Sequence, residues 1–135
     1  GNFASLFEVN SLFDLIMVID ASIKAKNPNQ KYFSMHALHL SNQAGLGLSE
    51  QQIKNEANSS FTNNFDQTLE DLLDGRYQFA DGSIPSGLSA DLLIAYGLRN
   101  FGAHQITSVP TVWRRYPEIR QALFNIMFLT VEVLY

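Results

Sequence analysis

The chain has 135 residues, of which 46% are hydrophobic and 16% charged, a balance that excludes intrinsically disordered and fibrous proteins. A chain of this length is expected to fold as one domain with a substantial core. It contains no cysteine, which excludes disulfides, a thiolate nucleophile and cysteine-bound metal, and favours a cytoplasmic protein. The net charge of −4 excludes a protein coated in basic residues.

The charge is spread unevenly. Residues 1–95 carry five Lys or Arg against eleven Asp or Glu, whereas residues 96–135 carry four Arg against two Glu. A surface that binds phosphate groups is therefore expected in the last third of the chain.

The ends of the chain suggest a piece of a longer protein. It begins at Gly1 without a methionine and stops at Tyr135 inside an apolar segment. We therefore expect residues 1–135 to form a single domain of a larger polypeptide. The most apolar stretch, residues 122–134, is shorter than the roughly 20 residues that span a bilayer, so no membrane partner is expected.

The hydrophobic spacing in the first half predicts several helices. The first has an apolar stripe and ends at Asn27-Pro28-Asn29, and a second covers Phe33 to Ala44. A third begins at Ser49 and runs to about Asn58, and a fourth extends from about Phe61 to Leu73. The stripe of the first helix comprises Val9, Leu12, Phe13, Ile16, Ile19 and Ile23.

The second half continues the helical pattern. Residues 75–87 contain three glycines and a proline, which predicts an irregular loop or small hairpin. A helix then runs from Ser86 or Ser89 to about Ile106, and the segment 107–116 is predicted to be irregular. The last helix starts near Pro117. The expected fold is an all-α bundle of five to six helices.

The last helix is apolar on nearly every side. Its core stripe includes Ile119, Leu123 and Ile126, but Phe124 and Phe128 lie off that stripe. This pattern is typical of a helix buried on two sides, one against its own domain and one against a partner. We therefore expect a homodimer.

The segment Leu98-Arg99-Asn100-Phe101-Gly102-Ala103-His104 brings together groups suited to phosphodiester chemistry. Arg99 can bind a phosphate through two parallel N–H donors and stabilise the charge of a pentacoordinate transition state. His104 can act as a general acid or base near neutral pH. Asn100 can orient the imidazole of His104, because residues four apart share a helix face, and Tyr96 precedes both on that face.

Helix geometry separates Arg99 from His104. Five residues of an α-helix correspond to about 140° around its axis, so the two side chains do not converge on one straight helix. Either the helix bends or ends near Gly102, or a symmetric partner supplies the second copy of each group.

At these residues the sequence resembles the HEPN superfamily (higher eukaryotes and prokaryotes nucleotide-binding domains). The signature of that superfamily is an Arg, a polar residue next, and a His after four to six intervening residues, which Arg99, Asn100 and His104 match. The resemblance implies a helical bundle that dimerises to pool its motifs. In active members it also implies metal-independent cleavage of RNA, with no cofactor.

The resemblance leaves the biological role open. It suggests the effector of a toxin–antitoxin or defence system, with an inhibitory antitoxin or fused domains as further partners. Some HEPN domains bind without cutting, so a non-catalytic RNA- or nucleotide-binding module remains an alternative. A dimerisation module of a larger protein is another.

Aromatic and cationic residues alternate in Trp113-Arg114-Arg115-Tyr116, with Arg120 one helical turn further on. We predict that Tyr96, Trp113, Arg114, Arg115 and Arg120 bind the RNA by stacking on bases and pairing with phosphates. The alternative is a packed loop with solvated arginines.

No metal site is predicted. His36 and His39 have a spacing that suits two ligands on one helix, but neither a cysteine nor a well-placed carboxylate completes the set. Glu70, Asp71 and Asp74 are interpreted as the exposed face of an amphipathic helix.

Overall fold

The fold was analysed in a computed structural model of the chain. The structure describes the backbone of residues 2–105 and 107–135, and the side chains of residues 7–102 and 107–135. Within these residues the secondary structure is helical, without strands, which confirms the predicted all-α class. The α-helices are α1 (Asn2–Ala25), α2 (Phe33–Ala44), α3 (Asn58–Asn63), α4 (Phe65–Asp74), α5 (Leu88–Gln105), α6 (Pro110–Arg114) and α7 (Tyr116–Leu134), and a π-helical segment (Gln51–Ala57) runs directly into α3.

α5 is the central helix of the bundle. It packs against α1, α2, α4 and α7, and every residue from Leu92 to Leu98 is buried. Gly97 allows the ring of Phe61 to pack directly against the backbone of α5, because a side chain at this position would overlap that ring. The ring of Phe61 in turn stacks on Phe101 at 6.0 Å between centroids. The motif segment therefore follows directly on a fully buried stretch of α5.

The predicted core stripe of α1 is confirmed. Val9, Leu12, Ile16, Ile19 and Ile23 are buried, and Phe13 lies half-buried at the edge. Side-chain hydrogen bonds connect α1 to both ends of the last helical segment. The Ser11 hydroxyl lies 3.4 Å from the Tyr116 hydroxyl, and the Tyr135 hydroxyl donates to the Ser22 carbonyl at 2.7 Å.

The middle of the chain is divided differently from the sequence prediction. The third helical stretch begins with a capping box between Ser49 and Gln52 and continues past Asn58 to Asn63. Asn64 then adopts an extended conformation, and its side chain accepts a hydrogen bond from the Gln67 amide at 3.1 Å. A helix N-cap inside the predicted fourth helix therefore ends one helix and starts the next.

The segment predicted to be a loop or hairpin is a loop that packs onto the core. Tyr77 and Phe79 are buried and meet edge to face at 5.4 Å. The Tyr77 hydroxyl lies 3.0 Å from that of Ser60, and the Glu56 carboxylate accepts from the Ala80 amide at 2.6 Å. These two aromatic residues are core residues.

Candidate functional site

Arg99 of α5 is anchored to Asp20 of α1. Its Nε donates to the Oδ2 atom of Asp20 at 2.6 Å. The Asp20 side chain is 14% exposed and that of Arg99 35%. A carboxylate this far from water needs a cationic partner, and the guanidinium supplies it. The terminal nitrogens of Arg99 form no ion pair with the described residues, so these donors remain available to an anion.

Asp20 was missed by the sequence analysis. It lies beside the apolar stripe of α1, one position after Ile19. A carboxylate at the edge of a buried stripe is a recognisable signal, because it requires a partner from another element. The sequence does not show which partner, since 79 positions separate Asp20 from Arg99.

A buried histidine is affected electrostatically by both members of this ion pair. His36 of α2 is fully buried; its Nδ1 lies 3.3 Å from the Asn27 amide nitrogen, and its Nε2 has no hydrogen-bond partner among the described residues. Burial lowers the pKa of His36 below its ordinary value of 6.5, Asp20 raises it, and Lys24, His39 and Arg99 add to the lowering. His36 therefore favours its neutral form in the fold.

Asn100 is exposed and lines a cavity beside α5. The cavity has a volume of about 350 Å³ and is lined by residues from the start of α2, the π-helical segment, α3 and α5. Tyr96 forms part of its wall, and its hydroxyl donates to Asn58 Oδ1 at 3.3 Å. Burial raises the pKa of the Tyr96 phenol, and a hydrogen bond with Asn100 offsets part of that rise. Tyr96 and Asn100 thus share one helix face and one cavity wall, as their spacing on a shared face predicts.

His104 belongs to the last turn of α5 by sequence position, but its side chain lies outside the described residues. The side chains that the structure brings together at the motif are Asp20, Arg99, Tyr96 and Asn100.

The basic segment after α5 is largely neutralised by carboxylates. Arg114 pairs with Glu70 of α4 at 3.1 Å. Arg115 pairs with Asp74 of α4 and with Glu118 of α7, each at 2.6 Å. Both contacts raise the pKa of Arg115, and Arg115 lowers the pKa of Glu118. The acidic face of α4 therefore binds this segment.

The remaining predicted RNA-binding residues differ in availability. Trp113 is partly exposed, and its indole N–H donates to the Thr107 carbonyl at 2.7 Å, which fixes the ring. Arg120 is exposed and lies over the rings of Tyr116 and Phe124, at 5.8 Å from each centroid. It forms no ion pair with the described part of the chain, so its charge is the most available of the arginines after α5.

Within residues 7–102 and 107–135, no group of three or more His, Asp or Glu side chains could hold a metal ion. In the described part of the chain, none of the helices is both long enough and apolar enough to cross a membrane.

Comparison with known proteins adds no relative: no family model, curated protein or solved structure matches the chain.

Proposed function

We propose that the protein is a metal-independent endoribonuclease of the HEPN type, acting on RNA at a site composed of two protomers. The observation that carries the proposal is the anchored Arg99. Asp20 holds the Nε atom of Arg99, and the Arg99 side chain is 35% exposed to solvent. The next residue of the motif, the polar Asn100, lines a cavity. A guanidinium held in this way is organised before it binds a phosphate.

The proposed reaction is transfer of the RNA phosphate to the neighbouring 2′-oxygen. The 2′-hydroxyl loses its proton to a general base, its oxygen attacks phosphorus, and the bond from phosphorus to the 5′-oxygen breaks. The leaving oxygen takes up a proton, which gives a 2′,3′-cyclic phosphate and a 5′-hydroxyl. Arg99 stabilises the extra negative charge on the phosphate, and His104 moves the protons. Asn100 orients His104 or the scissile phosphate.

A second copy of the chain is part of the proposal for two reasons. The angle of about 140° between Arg99 and His104 on an ideal helix favours a site that takes one group from each protomer. The outer face of α7 supplies an apolar surface, since Phe128 is 65% exposed and stacks on Phe124 at 6.2 Å between centroids. An exposed aromatic patch of this kind is typical of an interaction surface.

The test is cleavage of end-labelled single-stranded RNA in the presence of EDTA. The parent chain is expected to cut, and both Arg99→Ala and His104→Ala to lose at least about a hundredfold in rate, the usual cost of removing a transition-state donor or a general acid. Arg76→Ala and His39→Ala are matched controls away from the motif and keep the parent rate. Intact RNA with the parent, or undiminished cleavage by His104→Ala, would overturn the proposal.

A further inference from the structure

We infer that the cavity beside Asn100 is a nucleobase pocket, which binds one base of the RNA next to the Arg99-Asn100 motif. The inference rests on the proposed function and names the part of the substrate that is recognised. The cavity volume of about 350 Å³ is within the range of small-molecule sites and accommodates a base with its ribose.

The charge of the pocket suits an anionic ligand. Its lining contains one cation, Lys54, and no carboxylate, although the whole chain has a net charge of −4. Lys54 is exposed and its only ion pair among the described residues is a long contact of 3.9 Å with Glu50. The ammonium group is therefore available to a phosphate at the rim of the pocket.

Hydrogen bonds orient two amide groups of the pocket, those of Asn58 and Asn55. Asn58 accepts the Tyr96 hydroxyl at Oδ1, which leaves its Nδ2 as a donor without a partner in the described residues. Asn55 donates through Nδ2 to Gln51, which leaves its Oδ1 as an acceptor. One free donor and one free acceptor match the hydrogen-bonding edge of a base, which presents the complementary pair.

An aromatic side chain stands at the entrance. Tyr32, which precedes α2, is 72% exposed and lines the cavity. A large aromatic ring left in water beside the pocket offers a surface on which a base can stack. Another cavity of similar size, about 320 Å³ and lined partly by Leu46 and Ser86, has no charged residue in its lining and none of the motif residues.

The first experiment measures binding of nucleoside monophosphates directly, without requiring cleavage. AMP, GMP, CMP and UMP are titrated into the parent chain by calorimetry, with ribose 5-phosphate as the probe for phosphate alone. At least one monophosphate is expected to bind saturably, and ribose 5-phosphate at least about tenfold more weakly, because it lacks the base contacts. Equal affinity for ribose 5-phosphate would overturn the base pocket.

The key variant is Asn58→Asp, which keeps an oxygen for the Tyr96 hydroxyl and replaces the free donor with an acceptor. It is expected to weaken binding of the monophosphate by about tenfold, the effect of losing one buried hydrogen bond. Asn63→Asp, the same change on the same helix outside the pocket, leaves affinity unchanged. Parent affinity in Asn58→Asp, or a change in its oligomeric state, would contradict the inference. The second result would make the cavity a contact between protomers.

The two proposals fail in different ways. Monophosphate binding that depends on Asn58, in a chain that leaves RNA intact, retains the pocket and overturns the ribonuclease. Cleavage of RNA by the parent, with no monophosphate binding and with the same cleavage pattern in Asn58→Asp, retains the ribonuclease and overturns the pocket.

Discussion

Asp20 and Arg99 join α1 to the motif helix through a single hydrogen-bonded ion pair of 2.6 Å. The pair uses Nε, and the terminal guanidinium nitrogens form no ion pair with the described residues. Asp20 is therefore proposed as a positioning residue, which holds the phosphate-binding group in place without touching the substrate.

Replacing Asp20 with Asn tests this role. The variant keeps an acceptor for Arg99 but loses the charge, so the guanidinium is held less firmly. Stability is expected to fall by about 1 kcal/mol, and the RNA cleavage rate at saturating substrate by about tenfold or more. Urea unfolding and single-turnover cleavage measure the two effects. The control is Asp14→Asn, an exposed carboxylate on the same helix. A stability loss with an unchanged cleavage rate would make Asp20 purely structural.

The pKa of His36, lowered by burial, predicts an acid-dependent loss of stability. In the unfolded chain the His36 imidazole takes up a proton near pH 6.5, whereas in the folded chain it does so only at lower pH. The contribution of neutral His36 to the free energy of unfolding is therefore complete above pH 6.5. It decreases as the pH falls through the folded-state pKa. Urea unfolding at intervals between about pH 7.5 and 5.5 should show the decline.

The assignment to His36 is checked by substitution. His36→Gln is expected to flatten the pH dependence of the unfolding free energy, whereas His39→Gln, three positions along α2, should preserve it. A parent-like slope in His36→Gln would show that another group carries the effect.

The contact between Gly97 and Phe61 predicts that even a methyl group at position 97 lowers the free energy of unfolding. Gly97→Ala places a methyl group where the Phe61 ring lies, so the ring or α5 must move. The expected loss is about 1–3 kcal/mol, typical of overpacking in a core. Thermal unfolding measures it. The double variant Gly97→Ala/Phe61→Leu, which removes the ring, should be less destabilised than the sum of the two single changes.

The exposed outer face of α7 is the surface on which the proposed homodimer is tested. Phe128→Asp adds a charge to the exposed patch and should convert the dimer to a folded monomer, because Phe128 is outside the core. Sedimentation or light scattering measures the mass, and circular dichroism the helix content. Ile84→Asp, at a loop residue 47% exposed, is the matched control and should remain dimeric. A monomeric parent, or a dimer in Phe128→Asp, would contradict the prediction.

Hydrophobic spacing was sufficient to predict the fold class. The stripe of α1 and the bounds of α2 follow from periodicity and from glycine, since Gly45 adopts a φ of 68° at the end of α2. The helix boundary at Asn64 was not predicted, because the sequence pattern indicates one continuous helix from about Phe61 to Leu73. Only the extended conformation of Asn64 and its bond to Gln67 show the boundary.

The candidate site was predictable only within its local segment. The position of Tyr96 and Asn100 on one helix face follows from their spacing along the chain. The partners Asp20 and Asn58 come from other helices, so their contacts depend on packing. The same holds for Arg114, which appeared available to RNA in the sequence but pairs with Glu70 across the fold.

The most direct test of the composite ribonuclease site is complementation between two inactive variants. Arg99→Ala and His104→Ala are purified separately, mixed in equal amounts under conditions that allow subunit exchange, and assayed on RNA in EDTA. If each site takes Arg99 from one protomer and His104 from its partner, half of the dimers are mixed and each has one intact site, so activity should recover to about one quarter of the parent value. A mixture as inactive as either variant alone, alongside an active parent, would contradict a site shared in this way.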